Sequence, residues 1–343
     1  MATSHMLQFV VFLIFFLFNE LSWASDIKKF PLLMPNVHPD RDEFYVCTPI
    51  KIVGDKDFYI VGFEPNATMN VVHHMLLFGC STPGADAEYW DCGEMADPAS
   101  DNGRLKKASP CGSGSHVIYA WARNAKPLKL PDDVGFLVGK NTPIQYLVLQ
   151  IHYSKKFPEE NTDNSGLFLL YTEQPQSKLA AVLLLAVGGV IPPKSVTHME
   201  VECRINERKT IYPFAYRTHT HGLGRVVSGY RVVRDDDGVD HWNLLGKRDP
   251  LTPQMFYPVF DKTPIKYGDR VAARCTMDSS SRDRYTEVGP TNNDEMCNFY
   301  LMAYVEEGNP LETPQCFKPG PPNYSWESDH LNNIPDAEAS SLY

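Results

Sequence analysis

"DEMCNFYLMAYVE", residues 294–306, is the stretch on which the fold turns. From Cys297 onward it is dense in aromatic and aliphatic side chains, and it reads as a strand. Successive side chains on a strand point to opposite faces. Met296, Asn298 and Tyr300 then share one face, and Cys297, Phe299 and Leu301 share the other. One face carries a thioether, an amide and a phenol. The other is core with a cysteine in it. A strand of this kind has a hydrophobic layer behind it and chemistry in front.

Working outward, the same texture recurs in "DFYIVGFEP" (57–65), "QYLVLQIHYS" (145–154) and "GRVVSGYRVV" (224–233). Ala180 to Val190 is an apolar run that stops at Pro192-Pro193 and reads as a buried strand. Helical periodicity is scarce, and 27 scattered prolines disfavour long helices. Many short strands separated by Pro/Gly turns predict an all-β protein built as antiparallel sandwiches. A length of 343 residues allows two domains, each with its own core. The polar break "TEQPQSK" (172–178) is the best boundary, which gives domains at 26–174 and 175–318. Residues 319–343 offer little to bury and read as a loose tail, and 93–110 read as a long surface loop.

The first residues read as a targeting segment. Phe9 to Phe18 is an unbroken apolar run, and Ser22-Trp23-Ala24 resembles a cleavage site, so residues 1–24 are expected to be a signal peptide. No Lys or Arg precedes the run, and Met6 is an alternative start. An uncleaved anchor is the competing reading, but ten apolar residues are too few to span a bilayer. Eight cysteines, an even number with no C-x-x-C spacing, favour four disulfides in an oxidising compartment over a zinc site. Spacing alone leaves the pairing open. The triplets at Asn66 and Asn323 are N-glycosylation sequons. A net charge of −10 without a Lys/Arg-rich block excludes nucleic acid as a partner.

The chemistry sits in grouped histidines. In "YRTHTHGLG" (216–224), Arg217, His219 and His221 fall on one face of a strand. Two imidazoles beside a cation make a poor core surface and a good metal site. The bland reading is a solvated strand face. His73-His74 in "NVVHHMLLFGC" can share a metal only at a bulge or a strand end, because strand neighbours face opposite ways. His152 shares its face with Gln150 and Val148, a mixed wall suited to a cavity. The remaining histidines (His5, His38, His116, His198, His241, His330) are isolated and read as structural or solvated. Met296 beside two polar residues is a plausible soft ligand, and imidazole with thioether favours copper. His219, His221 and Met296 would leave a position open for a small molecule such as dioxygen. His73, His74 and His152 would make an all-nitrogen copper site. Two unlike coppers point to redox chemistry, not hydrolysis.

The order of "VVHHMLLFGC", "YAWARNA", "LQIHYS", "FAYRTHTHGLGRVVSGYRV", "FYPV", "AARC" and "DEMCNFY" resembles the copper type II, ascorbate-dependent monooxygenases, in particular their peptidylglycine-hydroxylating branch, over about residues 40–318. The resemblance implies two jelly-roll-like sandwiches facing across a solvent-filled cleft. It implies an electron-transfer copper on His73, His74 and His152, and an oxygen-binding copper on His219, His221 and Met296. Arg217, Asn298 and Tyr300 would grip the carboxylate of a peptide ending in glycine. The pairing by analogy is Cys47–Cys92, Cys80–Cys111, Cys203–Cys316 and Cys275–Cys297. Two copper ions, ascorbate and O2 follow as cofactors and co-substrate. The product would be the α-hydroxyglycine peptide, the first step of amidation. It would pass to a separate lyase, since no lyase domain is seen in the sequence. A monomer in the secretory granule lumen or outside the cell, with no membrane span after signal cleavage, completes the expectation. The rivals are a catecholamine-type hydroxylase, which needs no carboxylate clamp, and a non-enzymatic secreted copper protein. The sequence departs from the branch in three places. An extra first-domain disulfide of vertebrate members is missing, the loop between Cys92 and Cys111 is longer, and Gly222 stands where a bulkier residue is common. None of these removes a ligand. Gly246-Lys247-Arg248 resembles a processing signal and is expected to be a turn.

Overall fold

The computed structural model describes residues 27–93, 105–289, 293–306, 308–312 and 314–343. The signal segment 1–24 and most of the 93–110 loop lie outside the described residues. Regular structure among the described residues is strand apart from one short helix, Asp336–Ser340.

The first half is built on two main sheets, with a small ribbon of Thr82–Pro83 and Cys111–Ser113 beside them. One runs Lys28–Leu33, Gly166–Thr172, Phe58–Asn66 and Val134–Val138 in spatial order, antiparallel throughout. The other runs Trp90–Asp91, Phe44–Lys51, Tyr146–Tyr153, His74–Cys80 and His116–Ala122, also antiparallel. Phe63, Tyr119, Trp121, Phe136 and Leu149 fill the space between them. The second half repeats the plan. Lys178–Val187, Asn298–Val305, Tyr212–His219 and Tyr257–Pro258 make one sheet, and Val196–Arg204, Arg270–Asp278, Gly224–Arg234 and Asp240–Arg248 make the other. A short parallel contact, Val134↔Lys178 and Gly135↔Leu179, joins the halves, so one sheet runs through both.

The quoted strand lies at the centre of the second half. Asn298–Val305 is flanked on both sides, by Lys178–Val187 and by Tyr212–His219. Its two faces are buried in different cores, Phe299, Leu301 and Ala303 in that of the second half and Tyr300 and Met302 in that of the first, so beyond Asn298 the run hardly alternates. Phe299 stacks on Tyr216 with ring centres 5.7 Å apart. The facing sheet makes room for both rings with two paired glycines. A Cβ on Gly229 would come within 2.2 Å of the Phe299 ring, and one on Gly246 within 2.4 Å of the Tyr216 ring. A side chain at either glycine would collide with these rings and shift the sheet that carries Arg217, His219 and Asn298 relative to its partner sheet.

The interface between the halves is apolar. Ala215, Phe256, Tyr300 and Met302 belong to the second half but pack into the core of the first. The four disulfides are Cys47–Cys92, Cys80–Cys111, Cys203–Cys316 and Cys275–Cys297, the pairs that the resemblance implied. Loop-entropy arguments give roughly 3–5 kcal/mol for closing loops of such lengths.

Two expectations are corrected here. The tail is not loose. Tyr324, Trp326, Leu331 and Ala339 pack on Tyr230, Val232 and Ala272, and Trp326 is fully buried. Arg274 reaches Asp336 at 2.6 Å, and Ser228 donates to the Ala339 carbonyl at 2.9 Å. The few apolar residues of the tail are spaced to cover the outer face of one sheet, which average composition hides. Gly246-Lys247-Arg248 is not a turn but the end of the Asp240–Arg248 strand.

Candidate metal centres

His73 stands just before the strand His74–Cys80, whose first residue is His74. Leaving the regular pleat lets the two neighbours turn to the same side. His152 lies opposite His74 in the register, and the His73 amide donates to the His152 carbonyl at 2.9 Å. The three Nδ1 atoms form a triangle with sides of 3.1, 3.3 and 3.4 Å. Its centre is about 1.9 Å from each corner, against roughly 2.0–2.1 Å for a metal–imidazole bond. This is the one cluster of three metal-ligating His, Cys, Asp or Glu groups among the described residues. On its far side, His152 donates from Nε2 to the Glu43 carboxylate at 2.7 Å and stacks on Tyr45 at 4.0 Å.

The second set forms where two strands end. His219 closes the strand Tyr212–His219, and His221 follows in the turn. Met296 precedes the strand Asn298–Val305. Strand alternation thus stops short of both His221 and Met296, and a buried carboxylate does the alignment instead. Glu295, with no exposed surface, accepts from the amides of His221 at 2.7 Å, Leu223 at 2.6 Å and Met296 at 3.0 Å. One side chain ties the histidine turn to the methionine. His219 donates from Nδ1 to Gln254 Oε1 at 2.7 Å, and His221 from Nδ1 to the Asp294 carbonyl at 3.2 Å. Both rings therefore keep an Nε2 lone pair for a metal, and His219 Nε2 lies 3.2 Å from Met296 Sδ. The two rings are 5.5 Å apart.

Arg217 and Tyr300 lie side by side, with the guanidinium carbon 5.1 Å from the phenol ring centre. Asn298 Nδ2 is 3.5 Å from Tyr300 Oη and 3.7 Å from Met296 Sδ. Arg217 gives Nε to the Gln254 carbonyl and Nη2 to Gln254 Oε1, both at 3.1 Å. Its Nη1 is buried without a hydrogen-bond partner among the described residues. Burial pulls its pKa down, which marks the cost of an incompletely compensated charge.

His73 and His74 of the first set and His219 and His221 of the second line one cavity of about 200 Å³, together with Arg123, Gly222 and Gln254. Across it the His74 and His219 rings are 6.2 Å apart, so in this structure the expected solvent-filled cleft is narrow. A Cβ on Gly222 would meet nothing within 4 Å, so the glycine leaves space open at the wall. Asn66 and Asn323 are both exposed.

The donor sets fit copper. Burial first, then neighbouring positive groups, lowers the pKa of His73, His74 and His219, and holds His152 down at about 3. All four rings are neutral at pH 7, as ligands must be. The sign of the linkage follows. In the metal-free chain the unfolded state takes up protons first, near the ordinary histidine pKa of about 6.5. Stability is full above that pH and falls as pH drops from there toward 3. Denaturant midpoints of the metal-free chain measured across that range should decline steadily, beyond what a His152→Ala chain shows. Equal slopes in the two chains would contradict the neutral-ring reading.

Comparison with known families agrees with this geometry. Residues 30–160 match the N-terminal domain of the copper type II ascorbate-dependent monooxygenases, and residues 178–329 match their C-terminal domain. The chain belongs to this family. It is 39% identical over 319 residues to peptidyl-glycine alpha-amidating monooxygenase A of Xenopus laevis, covering 92% of this chain and 32% of that protein. It is 39% identical over 303 residues to the Rattus norvegicus peptidylglycine alpha-amidating monooxygenase, covering 86% and 28%. It is 29% identical over 287 residues to human DBH-like monooxygenase protein 1, covering 78% and 45%. The chain thus spans about a third of the length of the amidating relatives.

Sequence reasoning missed Gln254, Glu295 and Glu43. Glu295 adjoins Met296 and was legible as a neighbour only. Gln254 lies two residues before the quoted "FYPV", but nothing local marks it as the shared partner of Arg217 and His219.

Proposed function

We propose that the chain hydroxylates the α-carbon of a C-terminal glycine in peptides, giving peptidyl-α-hydroxyglycine. The observation that carries this reading is the buried Arg217 Nη1, without a hydrogen-bond partner among the described residues, beside Tyr300, which Asn298 in turn approaches, and on the strand that ends in the His219–Met296 contact. A permanently charged, forked donor with an unused N–H in a buried position calls for a carboxylate. Two coppers, reduced by ascorbate, would supply the electrons and the activation of O2 that side chains cannot.

The chain's own residues do the rest. Arg217 takes the peptide carboxylate, and Asn298 and Tyr300 orient the terminal residue. His219, His221 and Met296 would hold the oxygen-site copper, and His73, His74 and His152 would hold the electron-transfer copper. Gln254 couples the two tasks, because one amide oxygen receives both Arg217 and His219. Phe256 and Met302 wall the site with buried apolar packing. A side chain on the terminal α-carbon would occupy the space beside Met296, which gives glycine selectivity. In this reading the domains are 26–174 and 175–318, the chain acts as a monomer, and a separate lyase consumes the product. Four disulfides fit an oxidising, secretory or extracellular setting. No helix among the described residues is long and apolar enough to cross a membrane.

The test offers the copper-loaded chain, with ascorbate and oxygen, three compounds: a short peptide ending in glycine, the same peptide ending in alanine, and a phenethylamine. Mass spectrometry should find one added oxygen mainly on the glycine peptide. Oxygen on the amine would move the chain to the small-molecule branch. No product at all with two coppers bound would favour a copper-binding protein without this activity.

A further inference from the structure

We propose that Glu43 is a positioning residue for the all-histidine set, fixing the His152 ring and lowering the reduction potential of the copper held there. The inference rests on the copper reading of that set. With Nδ1 of His152 turned into the triangle as a lone pair, its proton is on Nε2, and that N–H points at Glu43 Oε2, 2.7 Å away. The bond is short and charge-assisted. Tyr45 lies parallel to the ring, with an interplanar angle of 5°, and closes one face of it. Together the two contacts set the orientation of the ring.

Glu43 is held in an uncommon backbone state to make this contact. Its φ is 53°, in the left-handed region that residues with a Cβ seldom occupy. Neighbouring bonds keep it there. Asp42 accepts from the Lys156 amide at 2.7 Å, and the Phe157 amide donates to the Pro39 carbonyl at 2.8 Å, which seams this segment to the chain just beyond His152. Strain maintained by surroundings, with the side chain aimed at a metal ligand, points to a role in the site. A carboxylate on the distal nitrogen makes the ligating nitrogen a stronger donor. A stronger, more anionic donor favours Cu(II) over Cu(I). The potential falls, and electrons leave this set more readily for the other.

The test uses the full chain carrying His219→Ala and His221→Ala, so that the all-histidine set is the site left to load. Copper(II) affinity is measured by chelator competition, and the potential by a titration followed by electron paramagnetic resonance. Glu43→Gln keeps the shape and removes the charge. It should weaken Cu(II) binding about 10–100-fold, with less effect on Cu(I). Each tenfold change in that ratio raises the potential by about 59 mV. Glu43→Asp, which restores the charge, should recover part of both. Affinity and potential unchanged in a folded Glu43→Gln chain would overturn the inference while leaving the copper site intact. If the parent bound no copper at this set, the copper reading would fail and the inference with it. A readout without any change at Glu43 is nitrogen resonance of the Cu(I)-loaded parent. One ligand histidine should show a strongly hydrogen-bonded Nε2–H, and its absence would equally overturn the proposal.

Discussion

Replacing Met296 with histidine leaves copper bound and removes most of the turnover. The thioether is a soft, neutral, weak ligand suited to reduced copper, and it stands 3.2 Å from His219 Nε2. Its backbone is clamped by Glu295, so a histidine at 296 would still present its ring to the same space. The metal would be retained by three nitrogens. What would be lost is the preference for the reduced ion and the placement of the reacting centre. Errors of about 1 Å at such a centre cost roughly a hundredfold, and kcat should fall by about that factor or more. Binding of the peptide should hardly change, because Arg217 and Tyr300 are untouched. Copper analysis with steady-state kinetics on the Met296→His chain checks this. Turnover at the parent rate would remove Met296 from the reaction.

Arg217→Ala should cut kcat/KM for the glycine peptide by roughly 10²–10³. Truncating one partner of a desolvated charge pair costs about 2–5 kcal/mol. The loss should appear mainly in KM, since the carboxylate is bound alike before and during reaction. The structure adds a second route by which Arg217 could matter. Gln254 accepts from Arg217 and from His219 with one oxygen, so removing the guanidinium also loosens the residue that sets the His219 tautomer. The two routes separate in the kinetics. A fall in kcat with KM unchanged would mean that Arg217 acts through Gln254 on the metal ligand, and the carboxylate assignment would be withdrawn.

What could be read from the residues was governed by periodicity. The Asn298–Val305 strand was legible because a dense apolar run between a cysteine and a charged end has few other solutions. The two histidines of "HH" were legible as a pair only at a strand end, and His74 does open its strand. Alternation was less reliable where strands stop. His221 and Met296 reach the site through turns held by Glu295, and no period of two describes them. The tail shows the limit of composition. Trp326 and Ala339 are far apart in a polar stretch, yet both are fully buried because Tyr230 and Ala272 leave a matching face on the sheet. Gln254 and Glu43 were out of reach for a different reason. Each acts through a partner 35 or more residues away, and such pairings are fixed by register, not by neighbouring sequence.

The most direct test labels the atoms that change. The copper-loaded chain would be given ascorbate, ¹⁸O₂ and a peptide whose C-terminal glycine carries two deuteriums on its α-carbon. The product should have one deuterium replaced by one ¹⁸O-hydroxyl, and fragmentation should place both changes on the terminal residue. Oxygen found elsewhere in the peptide with both deuteriums retained, or oxygen drawn from water, would contradict this assignment.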